Sequence, residues 1–205
     1  MTVVRNEDFQ KKFRYHHGHL RESLLAAALE ILDKEGSSNL SLRHLARATG
    51  VSQAAPYTYF NDKDELLAAV AQTGFEQLRV QIFENVKAAA TVRQRVERLM
   101  TSYINFAIER RPLFQLMFGR ELSDLKKHPT LAATHGKFFA QISGYLKGRR
   151  EGAEDANFLT VTLWGLCQGL ATLLAENKLK TTDVGADSVE NFVKRTVALL
   201  ADQLT

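Results

Sequence analysis

Cysteine, proline and tryptophan are scarce in this chain of 205 residues, which contains one Cys, three Pro and one Trp. The lone cysteine, Cys167, allows no internal disulfide, so nothing in the composition opposes a cytoplasmic location. Because prolines are few and no run of alternating β-branched residues occurs, strands are not indicated. We therefore expect an all-α protein, and a hydrophobic content of 45% is ample for its core.

Catalytic and metal-binding patterns are also missing from the sequence. It contains no glycine-rich phosphate loop, no serine-triad pattern and no helix motif of paired carboxylates. His16, His17 and His19 could ligate a metal, but adjacent histidines in a cationic arm are explained more simply as nucleic-acid contacts. We therefore predict that the protein is not an enzyme and that it has no cofactor and no metal site.

A helix-turn-helix is indicated by Leu40 to Lys63, whose sequence is LSLRHLARATGVSQAAPYTYFNDK. Ser41 is a good N-cap, and apolar residues recur behind it at helical spacing, so a short helix is predicted from about Leu42 to Ala48. Gly50 follows the last of these residues and supplies the left-handed backbone that a tight turn requires. The small residue Ala46 lets the two helices of the motif cross closely.

The second helix of the motif is predicted from Gln53 to Phe60, with Ser52 as its N-cap. Pro56 removes one backbone hydrogen bond, but the loss falls in the first turn of this helix. Small, hydrogen-bonding and aromatic side chains suit the reading of base edges in a DNA major groove. A motif that serves packing alone is the alternative. The residues expected at the DNA are Arg43, Ser52, Gln53, Ala54, Ala55, Tyr57, Thr58 and Tyr59.

This region resembles the DNA-binding domain of the tetracycline-repressor (TetR) family of bacterial transcription regulators, from about Arg14 to Val70. The matching pattern is Ser41-Leu-Arg-His-Leu45-Ala46, Gly50-Val51-Ser52 and Tyr57-x-Tyr59-Phe60-x-x-Lys63-x-x-Leu66, preceded by Tyr15-His16-His17-Gly18-His19-Leu20. The resemblance implies a homodimer that binds a palindromic operator in double-stranded DNA. It also implies a helix-turn-helix domain over residues 1–62 and a ligand-sensing and dimerisation domain over residues 63–205.

Positive charge is expected on both sides of the motif. From Lys11 to Arg21 there are four Lys or Arg residues, three His and no acid, and we expect Arg14 of this arm to contact DNA. On the other side, Asp62 is placed to cap a new helix, with Glu65 at the capping-box spacing. Lys63 then lies in the first turn, where an ammonium beside exposed amide groups can hold a phosphate.

Helical periodicity, N-caps and glycine stops predict seven helices outside the motif. Their expected ranges are Gly18–Glu35, Asp62–Val86, Val92–Arg110, Pro112–Phe118, Thr130–Arg150, Glu154–Asn177 and Asp187–Leu204. The last two carry wide apolar stripes, which suits a four-helix interface between two copies of the chain. We expect the close-approach face of that interface at Gly165 and Gly169, and the other options are the last helix or the leucine ridge of the same helix. This ridge consists of Leu159, Leu163, Leu166, Leu170 and Leu173.

One segment, Asn157 to Ala175, is long enough to span a membrane and carries no charged residue. Threonine, asparagine and glutamine dilute its hydrophobicity, and acids rather than a basic cluster flank both ends. We therefore expect no membrane span, and the polar, charged start of the chain gives no secretion signal.

The motif Trp164-x-x-x-Gln168-Gly169 resembles the Trp-His-Gly signature of one class of C-terminal domains in the same family, with Gln168 in place of the histidine. Glutamine has no charge switch near neutral pH, although it both donates and accepts hydrogen bonds. We expect an apolar cavity for a small aromatic or lipophilic effector, while ordinary core packing is the alternative for each of its aromatic residues. Its predicted lining is Tyr103, Phe106, Phe114, Met117, Phe118, Phe138, Trp164 and Gln168.

The function predicted from these observations is that of a DNA-binding transcriptional regulator, a repressor released from its operator by a small-molecule effector. Two other classes stay open. One is an effector-independent helix-turn-helix protein with an architectural or division-linked role, and the other is a helical enzyme built on the C-terminal domain. Cys167 is expected to be buried and inert, because no basic residue lies within one helical turn of it.

Overall fold

The computed structural model of the protein describes residues 19–122, 124–146 and 153–203. Within these ranges the chain forms eight α-helices joined by loops and short 3-10 turns, and it contains no β-strand. The all-α prediction is therefore confirmed. The helices are α1 (Leu20–Glu35), α2 (Leu42–Thr49), α3 (Lys63–Val86), α4 (Val92–Glu109), α5 (Arg111–Phe118), α6 (Pro129–Leu146), α7 (Ala153–Ala175) and α8 (Val189–Gln203).

The helices belong to two compact units. The head unit comprises Met1–Gly74 and Pro112–Ala132, and the bundle unit comprises Phe75–Arg111 and Ala133–Thr205. Helices α3 and α6 each begin in the head unit and end in the bundle unit. The predicted functional boundary between residues 62 and 63 is a different division of the chain, and it stays a prediction.

Local signals fix the first two helices of the head unit. Helix α1 ends at Gly36, whose φ of 80° takes the chain out of the helix while its N–H still donates to the Leu32 carbonyl. Helix α2 begins at Ser41, whose hydroxyl accepts a hydrogen bond from the backbone N–H of His44 at 3.2 Å. It ends at Gly50, which has the left-handed backbone that the turn requires, with φ 70° and ψ 22°.

The second helix predicted for the motif, Gln53 to Phe60, is wrong as an α-helix. The chain forms a 3-10 turn over Ala55–Thr58, which we call the recognition turn, with Gln53 and Ala54 in the preceding turn. Pro56 has no N–H, and the bonds Tyr57 N to Ala54 O and Tyr59 N to Pro56 O, at 3.1 and 3.0 Å, have 3-10 spacing. The backbone carbonyl of Ser52, rather than its side chain, accepts the first bond of this turn, from Ala55 N.

The start of helix α3 shows a modified version of the predicted capping box. Asp62 caps as expected, because its carboxylate accepts from Glu65 N at 2.8 Å. The Glu65 carboxylate reaches back one residue further than predicted, to the backbone N–H and the side-chain amide of Asn61, both at 2.8 Å. Two side-chain-to-backbone hydrogen bonds and one between side chains therefore fix the direction in which α3 leaves the motif.

Apolar side chains fill the core of the head unit. Helices α1 and α2 pack together through fully buried residues such as Leu24, Ile31 and Leu45. Gly74 of α3 allows a close approach to α5, since a Cβ built at this position would lie 2.5 Å from Sδ of Met117. The other buried hydrophobic residues of this unit include Ala27, Ala28, Leu32, Leu40, Leu42, Ala46, Phe60, Leu66, Leu67, Val70, Leu113, Leu116 and Leu122.

Helix α4 is central to the bundle unit, where it packs against both α7 and α8. Its buried side includes Met100, Tyr103, Ile104 and Phe106, and its N-cap Thr91 accepts from Gln94 N at 3.1 Å. Polar side chains link α3 to α4 beside this core. Asn85 Nδ2 donates to Ser102 Oγ at 2.9 Å, and Arg98 donates to the Asn85 carbonyl at 2.9 Å.

Helix α7 buries one side and exposes another. Thr160, Leu163, Cys167, Ala171 and Leu174 are buried. The exposed fractions of Phe158, Val161 and Leu173 are 76%, 59% and 40%, and a Cβ built on Gly165 or Gly169 would meet no atom within 4 Å. The segment Asn157–Ala175 is apolar and long enough to cross a membrane, with a mean hydropathy of 1.6, but a core helix of a soluble protein passes the same test.

Candidate functional site

The residues predicted to read DNA form an exposed surface on the head unit. Arg43, Ser52, Gln53, Ala54, Tyr57, Thr58 and Tyr59 are exposed and Ala55 is half-buried, whereas Arg14 lies outside the described residues. The exposed fractions of the two tyrosines are 49% and 38%, so two large rings stand in solvent beside the turn. Pro56 is buried and Phe60 is 1% exposed, and these residues anchor the turn from beneath.

Basic side chains surround this surface. Arg43 and Arg47 lie one turn apart on α2, and both are exposed. Arg47 was not predicted as a DNA contact, although its spacing of four residues from Arg43 signals a shared helix face. The guanidinium of Arg21 lies 5.9 Å from the centre of the Phe60 ring, a cation–π contact that ties α1 to the end of the recognition turn.

Lys63 lies in the first turn of α3, as predicted, and it is half-buried. Its Nζ donates a hydrogen bond to the carbonyl of Ser38 at 3.2 Å. Ser38 belongs to the short 3-10 turn between α1 and α2, so the lysine links the start of α3 to that turn. An ammonium has three donors, and one contact of this type leaves two for other acceptors.

The residues predicted to bind an effector are divided between the two units. Phe114, Met117 and Phe118 belong to the head unit, where the rings of Phe114 and Phe118 are 4.9 Å apart. The remaining residues of the set lie in the bundle unit and are Tyr103, Phe106, Phe138, Trp164 and Gln168.

A polar cluster within the bundle unit joins α4 to α7. The hydroxyl of Tyr103, which is 2% exposed, donates to Oε1 of Gln168 at 2.6 Å. Trp164 precedes Gln168 by one helical turn, and its Nε1 is buried without an acceptor in hydrogen-bonding alignment among the described residues. The indole N–H is nevertheless near enough to the Tyr103 oxygen to influence its ionisation. The sequence predicted these residues individually but gave no sign that Tyr103 pairs with Gln168.

The ionisable groups of this region are held in their neutral forms. Burial raises the pKa of the Tyr103 hydroxyl well above its ordinary value of 10.0, an effect that Trp164 partly offsets. Burial likewise raises the pKa of the Cys167 thiol to about 12, which agrees with the prediction that this cysteine is inert. His135 is half-buried, and desolvation lowers its pKa from 6.5.

Aromatic rings connect this cluster to the interior of α6 and α3. The ring of Trp164 meets that of Phe139 edge to face at a centroid distance of 4.8 Å, and Phe139 meets Phe138 at 5.6 Å. His135 lies 4.7 Å from Phe139 and 5.3 Å from Phe75. Phe139 and His135 were not among the predicted ligand residues, although both share the α6 face that carries Phe138.

Two family models match the chain. Residues 24–70 match the model described as bacterial regulatory proteins, tetR family, and residues 96–200 match a tetracyclin repressor-like C-terminal domain. The first match covers α1, α2, the recognition turn and the start of α3, and the second begins within α4 and ends within α8.

Individual relatives are regulators or DNA-associated factors by name. The chain is 36% identical over 80 residues to the transcriptional regulator BetI from Rhizobium meliloti, a match that covers 39% of each protein. It is 25% identical over 169 residues to the nucleoid occlusion factor SlmA from Salmonella dublin, covering 78% of this chain and 84% of that protein. The chain therefore spans well under half of BetI, and the activity of either whole protein does not transfer directly.

A solved structure of a protein of unknown function from Rhodococcus sp. RHA1 is similar over almost the whole chain. Its TM-score is 0.73, its sequence is 32% identical, and the match covers 91% of this chain and 95% of that one. Because the tetR-family model matches the region of the predicted DNA-binding motif and the repressor-like model matches about half of the chain, the chain belongs to the TetR family and is a DNA-binding transcriptional regulator.

Proposed function

We propose that the protein is a cytoplasmic repressor that binds a palindromic operator as a homodimer and is released by a small lipophilic or aromatic effector. Residues 1–62 would form the DNA-binding domain, and residues 63–205 the sensing and dimerisation domain. Helix α3 begins directly after the first domain, in the head unit, and ends in the bundle unit, which makes it the candidate for carrying the response to the DNA-binding surface.

The exposed recognition turn is the observation that carries this proposal. Tyr57 and Tyr59 together leave two partly exposed rings on one short segment, and exposed apolar patches of this kind mark interaction sites. Tyr57, Thr58 and Tyr59 offer ring faces and hydroxyls of the kind that contact thymine methyls, base edges and phosphates. The buried residues Pro56 and Phe60 keep this surface preorganised, so little conformational entropy is lost on binding.

Within this surface we assign different roles to Arg43 and Lys63. Arg43 is exposed on α2 beside the turn, where a guanidinium can bond two acceptors of one guanine. Lys63 is anchored to Ser38 by one donor and keeps its charge beside the N-terminal amides of α3, an arrangement suited to a phosphate.

Replacing each cation by alanine tests these roles on operator and random DNA. Arg43→Ala should lower operator affinity by about 1 to 3 kcal/mol and relax the preference at one base pair. Lys63→Ala should weaken all sequences alike and reduce the slope of affinity against salt. Arg93→Ala, which removes an exposed arginine of the bundle unit, is the matched control. If Arg43→Ala and Lys63→Ala act equally on operator and random DNA, the base-reading role is wrong.

For the homodimer, the exposed side of α7 is the proposed interface. Phe158 and Val161 are solvent-exposed apolar residues, and the glycines one turn apart at positions 165 and 169 leave open space for a neighbouring helix. Two copies of the chain would then present two recognition turns to half-sites about 34 to 36 Å apart, which is one turn of DNA.

The proposed effector site is the polar and aromatic cluster of the bundle unit. Trp164 and Gln168 lie on one face of α7 beside Tyr103 and the rings of α6, which supports the likeness to the Trp-His-Gly class without its histidine. Gln168 would orient the polar group of the effector. The contributions of Phe114, Met117 and Phe118 remain predictions from the resemblance.

The similarity to SlmA favours a second candidate function, a division-linked DNA-binding factor that needs no effector. Mapping the sites that the protein occupies on its genome separates the two functions. A dedicated repressor should occupy one or a few promoters, whereas a nucleoid-associated factor should occupy many sites spread over the chromosome. Occupancy at many sites without a transcriptional response would favour the second function.

A further inference from the structure

The single tryptophan of the chain carries an unsatisfied buried donor. Nε1 of Trp164 is inaccessible to solvent, and no acceptor among the described residues is aligned with its hydrogen. The Tyr103 oxygen is near enough for the indole N–H to lower the pKa of that hydroxyl, but the contact falls short of a full hydrogen bond, and the hydrogen of this hydroxyl is directed to Gln168. Since native proteins satisfy nearly all buried polar groups, an orphan N–H of this kind indicates a missing acceptor.

Gln168 adds further donors to the same place. Its Oε1 accepts the Tyr103 hydroxyl at 2.6 Å, which leaves its Nε2 group to donate to other acceptors. An amide nitrogen carries two hydrogens, so the cluster offers three N–H donors on one face of α7. A bound group that fits it must accept hydrogen bonds.

The surroundings favour an acceptor without charge. Tyr103, Cys167 and His135 are the titratable side chains of this cluster and its ring contacts, and burial holds all three neutral near pH 7. A carboxylate or phosphate entering here would lose its hydration without gaining a counter-charge from them. A ketone, ester or amide carbonyl loses far less on leaving water.

We propose that this site selects an effector with an uncharged carbonyl or similar acceptor on an aromatic or lipophilic body, bonded by Trp164 Nε1 and Gln168 Nε2. The edge-to-face rings of Trp164, Phe139 and Phe138 are suited to receive that body. The inference rests on the proposed effector function and specifies the chemical class of the ligand.

Fluorescence of Trp164 tests the proposal directly, because no other tryptophan contributes to the emission. Three probes share one phenylalkyl body: 4-phenylbutan-2-one, 3-phenylpropanoate and butylbenzene, with a neutral acceptor, an anion and no acceptor respectively. We expect the ketone to shift the emission and to bind about tenfold or more tighter than either analogue. Equal or tighter binding of the anion or the hydrocarbon, or no response to any probe, would overturn the proposal.

Variants assign the selectivity to Gln168. Both Gln168→Leu and the near-isosteric Gln168→Glu should abolish the preference for the ketone, whereas Gln141→Leu, at an exposed glutamine of α6, should leave it unchanged. Circular dichroism checks that each variant is folded. If one of the two Gln168 variants does not fold, the other still tests the assignment. A preference that survives in folded Gln168→Leu would refute the assignment.

Titration of labelled operator without probes keeps this inference separate from the proposed function. Loss of probe selectivity with intact operator binding would overturn only the inference. Failure to bind any operator would overturn the repressor function whatever the probes do.

Discussion

Replacing Gly50 by alanine isolates the backbone turn that directs the recognition surface. Gly50 has φ 70°, and a Cβ built there would meet no atom within 4 Å, so the substitution causes no clash. Its cost is the left-handed backbone alone, about 1–2 kcal/mol for a residue with a Cβ. The reduced entropy of the unfolded chain offsets about 0.4–1 kcal/mol of this. We expect a net loss of about 1 kcal/mol in the free energy of unfolding.

Gly136 is the matched control for this substitution. It lies within α6, outside the left-handed region, and a Cβ built there also meets nothing within 4 Å. Gly136→Ala should therefore stabilise the protein by about 0.5–1 kcal/mol, because alanine is the better helix former. Gly50→Asn should recover part of the loss, since asparagine tolerates the left-handed backbone.

Urea denaturation gives the free energies of unfolding, and titration of labelled operator gives the functional effect. If the turn relieves its strain by shifting, binding must restore the original geometry, and 1 kcal/mol of strain lowers operator affinity about fivefold. Equal stability changes of Gly50→Ala and Gly136→Ala would refute the reasoning, because the two sites differ in backbone conformation and not in free space.

Three further predictions concern the bundle unit. Gly169→Glu should weaken the proposed dimer by placing a charge on its close-approach face, and sedimentation showing an unchanged dimer would move the interface to the leucine ridge or to α8. Because burial lowers the pKa of His135 from 6.5, the unfolded state binds more protons, so thermal stability should fall as pH drops below 6.5. His135→Leu should reduce that slope, and an unchanged slope would exclude this residue as its source. Cys167, buried with a pKa of about 12, should react with thiol reagents at pH 8 only after unfolding, and equal labelling of native and urea-treated protein would contradict its burial.

Elements that depend on nearby residues could be predicted from the sequence. The Ser41 cap, the stops at Gly36 and Gly50 and the Asp62 cap each involve a side chain or backbone group within four residues. Such signals need no knowledge of the fold, which is why the bounds of α1, α2 and α3 were nearly right. The predicted α-helix over Gln53–Phe60 was wrong because the prediction assumed that Pro56 removes only one hydrogen bond. In the structure the segment Ala55–Thr58 has 3-10 spacing instead.

Contacts between distant residues could not be predicted. Tyr103 and Gln168 are separated by 65 positions, and Lys63 and Ser38 by 25, so no periodicity links either pair. The sequence likewise identified Trp164 as a candidate without showing that its N–H would lack an acceptor. Such facts arise from how helices pack, and packing decides which of many apolar and polar side chains meet.

The arrangement of α7 connects the two proposals for the bundle unit. Trp164 and Gln168 precede Gly165 and Gly169 by one residue each, so both α7 residues of the proposed effector site are adjacent in sequence to a glycine of the proposed interface. A helix is too stiff for its faces to move independently, and a rotation that reorients Gln168 must also reorient Gly169. By linkage, an effector that prefers one orientation of α7 must then bind monomer and dimer with different affinities. If the chain dimerises through α7 as proposed, the interface is part of the switch and not a passive support for the two DNA-binding surfaces.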